Sequence, residues 1–143
     1  TAKAIGFGVI GQGAKLTITY NRNKEKSEQL AKELGAKVVN VQNAGEEDMD
    51  ILINCSPVGM SPNIEATPIS HQYLRKGMIV FDSVYNPPKT RLIREAKEAG
   101  CVTISGIELF INQAIKQFEL WTKQNAPSNR MRDVITRAIE NKV

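Results

Sequence analysis

The chemistry-bearing residues of this chain cluster at the ends of apolar runs. Phe81-Asp82-Ser83-Val84-Tyr85-Asn86-Pro87 closes one such run, and Gly106-Ile107-Glu108-Leu109-Phe110-Ile111-Asn112-Gln113 follows some twenty residues later. A strand ending in a turn that carries Tyr85, then a glycine-opened helix that carries Gln113, suits the holding of a small polar ligand. Leu109 and Gln113 stand one helical turn apart and can share a flank facing a cleft. His71, the single histidine, has no carboxylate placed to orient it and reads as part of a short surface helix, not as a general base.

Two further stretches follow apolar runs. Asn21-Arg22-Asn23, with Lys24 and Lys26 just beyond, comes after Leu16-Thr17-Ile18-Thr19-Tyr20. A dinucleotide fold meets the adenosine ribose after its second strand, where a carboxylate selects a free 2′-hydroxyl and a cation selects a 2′-phosphate. On local sequence alone, a capped helix start with solvated bases fits these residues equally. Asn54-Cys55-Ser56-Pro57-Val58-Gly59-Met60 ends Ile51-Leu52-Ile53, and ligands of open α/β sheets bind beyond such strand ends. Glu46-Glu47-Asp48 reads as a solvated loop or helical turn. Cys55 and Cys101 lack metal-ligand spacing and are expected to be reduced, buried, small apolar residues. No metal site is expected.

The elements that must position these residues alternate between strand and helix. A helix runs from the start to Gly11-Gln12-Gly13, and Leu16 to Tyr20 is β-branched and aromatic, hence a strand. Asn23 caps a helix with Leu30, Ala31 and Leu34 on one face, stopped by Gly35. Lys37 to Val39 is a short strand. Ile51 to Ile53 and Met78 to Phe81 are apolar strands of the kind buried on both faces of a parallel sheet. Thr90 to Ala99 is a helix with Leu92, Ile93 and Ala96 inward, ended by Gly100, and Cys101 to Ile104 is the last strand. A long helix from about 106 to 124 carries an apolar stripe of Ile107, Phe110, Ile111, Ala114, Phe118 and Trp121, with Trp121 as a core anchor. A final helix, about 128–141, carries Met131, Val134, Ile135 and Ile139. This order predicts an α/β fold, a doubly wound Rossmann-like parallel sheet, as one domain over residues 1–143.

Gly6-Phe7-Gly8-Val9-Ile10-Gly11 matches the dinucleotide fingerprint letter for letter. The motif works only between a strand and the helix it opens. Here it lies within helical spacing and a strand follows it, so its glycines read as close helix-to-sheet packing and a helix stop.

Four of these stretches, in order and over nearly the whole chain, resemble the nicotinamide-nucleotide domain of shikimate dehydrogenases. Asn21-Arg22-Asn23 is similar to that family's Asn-Arg-Thr motif, with Lys26 in place of a common arginine. Asn54 to Met60 resembles its Asn-Ala-Thr-Pro-Val-Gly-Met loop, with Ser56 keeping the hydroxyl. Gly106 and Gln113 keep the spacing of its Gly-x-x-Met-x-x-x-Gln pattern, with Leu109 for Met. The resemblance implies NADP as cofactor, contacted by Asn21, Arg22, Asn23, Lys26, Ser56, Ser83 and Gly106. It implies Tyr85 on the substrate carboxylate and Gln113 on a substrate hydroxyl. The implied reaction is NADPH-dependent reduction of 3-dehydroshikimate to shikimate. An NAD-preferring quinate/shikimate dehydrogenase and a non-catalytic nucleotide-binding or regulatory module of the same fold are the alternatives.

The family's first strand, glycine-rich loop and N-terminal substrate domain, with its lysine–aspartate pair, have no counterpart in these residues. The sheet is therefore expected to be incomplete, the chain alone to be inactive, and the last two helices to pack back towards that substrate domain. The 143 residues, 41% apolar and 24% charged, suffice for one core. The net charge of +4 is spread over helices that interleave bases with acids, which argues against nucleic acid. No apolar run approaches the roughly 20 residues of a membrane span, and the cytoplasm is the expected compartment. The expected partners are the small-molecule substrate, the N-terminal domain and, as an option, a second copy of the chain.

Overall fold

A computed structural model of the chain describes residues 1–140, and shows two compact units, Thr1–Met49 and a second that begins at Asp50. Both are α/β with parallel strands.

In the first unit, α1 (Ala2–Gly11) is followed by β1 (Thr17–Tyr20), α2 (Lys24–Leu34), β2 (Lys37–Asn40) and a 3₁₀ turn, Val41–Glu46. β1 pairs with β2 in parallel, Ile18 opposite Val38. Asn23 caps α2, its side chain accepting the Lys26 N–H at 2.9 Å. Gly35 ends it at φ +62°, a left-handed conformation that glycine adopts without steric cost.

All six residues of the glycine motif lie inside α1. Only Gly6 is there for packing, since a Cβ would come within 2.6 Å of Leu34 Cδ1. That contact is with α2, and Leu16 Cδ2, immediately before β1, lies 3.7 Å from the same point, so Gly6 packs chiefly on a helix and also against the start of the sheet. Gly8 and Gly11 have nothing within 4 Å of where a Cβ would sit. Gly8→Ala is therefore expected to stabilise the first unit by about 0.5–1 kcal/mol, the helix-interior cost of glycine. A shift of the urea midpoint to higher denaturant at unchanged slope is the check.

In the second unit the sheet order is β3-β4-β5, all parallel, from β3 (Ile51–Asn54), β4 (Ile79–Asp82) and β5 (Val102–Ile104). A 3₁₀ turn at His71–Tyr73 precedes β4, with His71 exposed. α3 (Arg91–Glu98) begins where Thr90 Oγ1 accepts the Ile93 N–H at 3.3 Å. Its Leu92, Ile93 and Ala96 are buried, as is Val80 of β4, and α3 packs on β4 and β5. α4 (Gly106–Thr122) and α5 (Ser128–Glu140) close the described chain, joined by a two-pronged Arg132–Glu108 ion pair. Residue 141 and the Ile139 side chain lie outside the described residues. No described helix is long and apolar enough to cross a membrane.

Three expectations need correction. β3 is not buried on both faces, because Ile51 is 49% exposed; β3 is an edge of its sheet, bonded to β4 alone. Trp121 is not a core anchor, being 74% exposed, and Phe110 is 42% exposed. The helical period found the right face of α4, with Ile111 fully buried. Coverage of that face depends on what packs there, and the main neighbour of α4 is α5. Cys55 and Cys101 are free thiols, but each is only partly buried.

Candidate functional site

In the second unit the carboxyl ends of β3 and β4 fall in register, Asn54 opposite Asp82. Asp82 is fully buried and Asn54 nearly so. A buried carboxylate must be hydrogen-bonded to be tolerated, and this one is. Asp82 Oδ1 accepts from Asn54 Nδ2 at 3.0 Å and from the Val84 N–H at 3.0 Å. Its Oδ2 accepts from the Thr90 hydroxyl at 2.6 Å. One side chain thus ties together the ends of two strands, the loop after β4 and the start of α3.

Asn54 carries the tie into the loop after β3. Its Nδ2 also donates to Val58 O at 3.1 Å, and its Oδ1 accepts from both the backbone N–H and the hydroxyl of Ser56, at 3.0 and 2.7 Å. Gly59 turns that loop at φ +88°, with the Ala66 carbonyl only 3.1 Å from where a Cβ would be. The Ser61 N–H donates to Asn86 O at 3.2 Å, joining the two strand-end loops. Between them opens a cleft of about 380 Å³ lined by Cys55, Ser56, Pro57, Met60, Ser61, Ser83, Val84, Tyr85 and Asn86. Three expected site residues of the second unit, Ser56, Ser83 and Tyr85, therefore share one cleft.

Gly106 has a backbone reason to be glycine. A Cβ there would meet the Ser83 carbonyl oxygen at 2.6 Å and sit still nearer to the Val84 carbonyl. The start of α4 therefore rests directly on the Ser83–Val84 turn. Tyr85 stacks on Phe110 of α4, ring centroids 5.3 Å apart and planes at 23°. Gln113 is exposed and outside the cleft lining, but stands three residues after Phe110, on the helix face that meets Tyr85.

In the first unit, Asn21, Arg22, Asn23 and Lys26 lie exposed at the end of β1 and the start of α2. Lys24 pairs with Glu28 at 3.5 Å, while Arg22 and Lys26 form no ion pair among the described residues. That leaves two cations accessible beyond the carboxyl end of a parallel strand. No group of three or more metal-ligating side chains occurs among the described residues.

Burial pushes the Asp82 carboxyl above its ordinary value, and the bonds from Thr90, Val84 and Asn54 pull it partly back. Burial likewise raises the Cys55 thiol, with the charge of Asp82 adding to the effect. A native carboxyl with a raised pKa holds its proton longer than the unfolded chain does. Its contribution to stability therefore falls as pH rises from the ordinary value of about 3.9 through the raised native value. Chemical denaturation across that window should show this slope in the wild type and not in Asp82→Asn.

The sequence alone assigned Asp82, Thr90 and Phe110 no role in the site. The signal for Asp82 was present: a carboxylate ending an otherwise apolar strand needs buried donors.

Parallel strands with a cleft at their carboxyl ends define an α/β protein of the Rossmann-like class. Residues 106–136 match the family model of the shikimate 5′-dehydrogenase C-terminal domain. The chain is 44% identical over 128 residues to the chloroplastic bifunctional 3-dehydroquinate dehydratase/shikimate dehydrogenase of Arabidopsis thaliana, spanning 87% of this chain and 21% of that protein. It is 37% identical over 148 residues to shikimate dehydrogenase (NADP(+)) of Methanosarcina acetivorans, spanning 97% of this chain and 52% of the relative. The crystal structure of shikimate 5-dehydrogenase from Thermus thermophilus in complex with NADP(H) and shikimate superposes with a TM-score of 0.83 at 28% identity, covering 94% of this chain and 50% of that one. The chain is similar to shikimate dehydrogenases over nearly its whole length, and spans about half the length of the NADP(+)-dependent relatives it matches.

Proposed function

We propose that this chain is the cofactor-binding part of an NADP-dependent shikimate dehydrogenase, which reduces 3-dehydroshikimate to shikimate in aromatic amino-acid biosynthesis. The observation that carries the reading is the cleft at the ends of β3 and β4, where Ser56, Ser83 and Tyr85 are held together by the Asn54–Asp82 bond. The hydroxyls in the cleft suit a neutral ligand group, and, taken by themselves, the accessible cations of the first unit suit a phosphate. Arg22 and Lys26 are assigned to the 2′-phosphate, with Asn21 and Asn23 beside them. Ser56, Ser83 and the Gly106 backbone are assigned to the nicotinamide end. When bound, the cofactor supplies the hydride chemistry.

The chain's own residues bind and orient. Tyr85, braced by Phe110, holds the substrate carboxylate, and Gln113 holds a substrate hydroxyl. Proton transfer falls to the lysine–aspartate pair of the family's N-terminal substrate domain. The exposed Phe110, Leu120, Trp121 and Val134 support the packing of α4 and α5 against that domain, which is the expected partner. The cytoplasm is the proposed compartment.

The test is turnover by the natural polypeptide that carries this sequence, followed by the near-ultraviolet absorbance of reduced nicotinamide. Shikimate with NADP⁺ should react and NAD⁺ should be poorer by about tenfold or more, the worth of a charge-assisted contact to the 2′-phosphate. Tyr85→Phe should raise KM for shikimate far more than KM for NADP⁺. Absence of turnover with either cofactor would overturn the reading.

A further inference from the structure

The orientation of the Asn54 amide is set by its neighbours. Its Nδ2 faces two acceptors, Val58 O and Oδ1 of the ionised Asp82. Asp82 Oδ1 is held in place because it also accepts from Val84 N–H, while Oδ2 takes the Thr90 hydroxyl. The Asn54 oxygen is thereby turned to Ser56, where it accepts from N–H and hydroxyl at 3.0 and 2.7 Å. A carbonyl oxygen cannot donate, so the proton of the Ser56 hydroxyl points at Asn54. The Val58 N–H donates to the same hydroxyl at 3.3 Å. A hydroxyl has one proton and two lone pairs; the proton and one lone pair are committed, and Ser56 lines the cleft.

We propose that Asp82 and Asn54 are positioning residues that fix Ser56 as a hydrogen-bond acceptor towards the ligand. The cleft then takes a neutral N–H or O–H donor at Ser56 and disfavours a phosphate or carboxylate oxygen there, which would face a lone pair. The inference rests on the proposed dehydrogenase activity and deepens it. The donor has two sources, the cofactor (carboxamide N–H or ribose hydroxyl) and a hydroxyl of shikimate.

The relay has a consequence that simple support of the fold lacks: the effects of Asn54 and Ser56 on ligand binding are one effect counted once. The experiment is a double-mutant cycle in the natural polypeptide, measuring KM for NADP⁺ and for shikimate separately, with kcat, for wild type, Ser56→Ala, Asn54→Ser and the double variant. Ser56→Ala should raise one of the two KM values about three- to tenfold, the worth of one neutral hydrogen bond; which KM rises names the source. Asn54→Ser should raise the same KM in the wild-type background and leave it unmoved in the Ser56→Ala background.

Asp82→Asn keeps one oxygen for the Asn54 and Val84 donors and turns its amide towards Thr90, whose hydroxyl can accept. Asp82→Ala, which removes the acceptor that turns the Asn54 amide, should raise the same KM as Asn54→Ser, and Asp82→Asn should bring it back towards the wild-type value. Additive effects of Asn54→Ser and Ser56→Ala, or no change of either KM in Ser56→Ala, would overturn the relay while leaving the activity standing. Absence of turnover in the wild type would remove the functional reading and the relay with it.

Discussion

Gly106→Ala is expected to destabilise the second unit by about 3 kcal/mol, at the upper end of overpacking costs. The added methyl would meet not a flexible side-chain tip but backbone, the Val84 carbonyl and the Ser83 oxygen at 2.6 Å. α4 and the Ser83–Val84 turn must then move apart. The turn carries Tyr85, whose stacking on Phe110 depends on that same close approach. Loss of stability should therefore come with loss of substrate affinity in whatever fraction stays folded. Gly8→Ala is the internal contrast, since a methyl there meets nothing within 4 Å. Urea unfolding of both variants would decide the matter. An alanine at position 106 within about 0.5 kcal/mol of wild type, the range of a neutral surface change, would mean the turn is not seated on α4.

Asp82→Ala should cost a comparable amount, about 2–4 kcal/mol. It leaves three donors without their acceptor: Asn54 Nδ2, the Val84 N–H and the Thr90 hydroxyl. Unsatisfied buried donors cost about 1–3 kcal/mol each, offset in part because removing the carboxylate relieves the desolvation that raises its pKa. Asp82→Asn, with shape and one acceptor retained, should cost well under half as much. Thermal or urea unfolding of the pair is the check. Equal losses in both variants would mean that negative charge, and not the acceptor geometry, is what the site requires.

Local signals were well written in the sequence. Asn23 caps α2, Thr90 caps α3, and Gly35 ends α2 in the left-handed region, each by a mechanism confined to a few neighbouring residues. Leu92, Ile93 and Ala96 are buried as their helical spacing indicates. The glycine motif could be set aside because its context was wrong, and it does lie within α1. What failed depends on partners distant in the chain. Nothing in the period of Phe110 and Trp121 says whether another element covers them, and both are exposed. The apolar letters of Ile51 read as a strand covered on both faces; β3 is an edge, in keeping with the incomplete sheet expected from the sequence. Asp82 was legible as an oddity but not as a hub, because two of its partners come from β3 and from the residue preceding α3. The strand-end motifs marked where Ser56, Ser83 and Tyr85 lie; that the first two share a cleft with the third required the fold.

The central claim is that this chain binds NADP through its own residues, with Arg22 choosing the phosphorylated cofactor. Calorimetric titration of NADP⁺ and NAD⁺ into the natural polypeptide and its Arg22→Ala variant tests it most directly. Saturable binding with NADP⁺ favoured by about tenfold or more, as one charge-assisted phosphate contact would provide, and loss of that preference in Arg22→Ala, is the predicted result. Failure of either nucleotide to bind, or an NADP⁺ preference that survives the loss of Arg22, would contradict it.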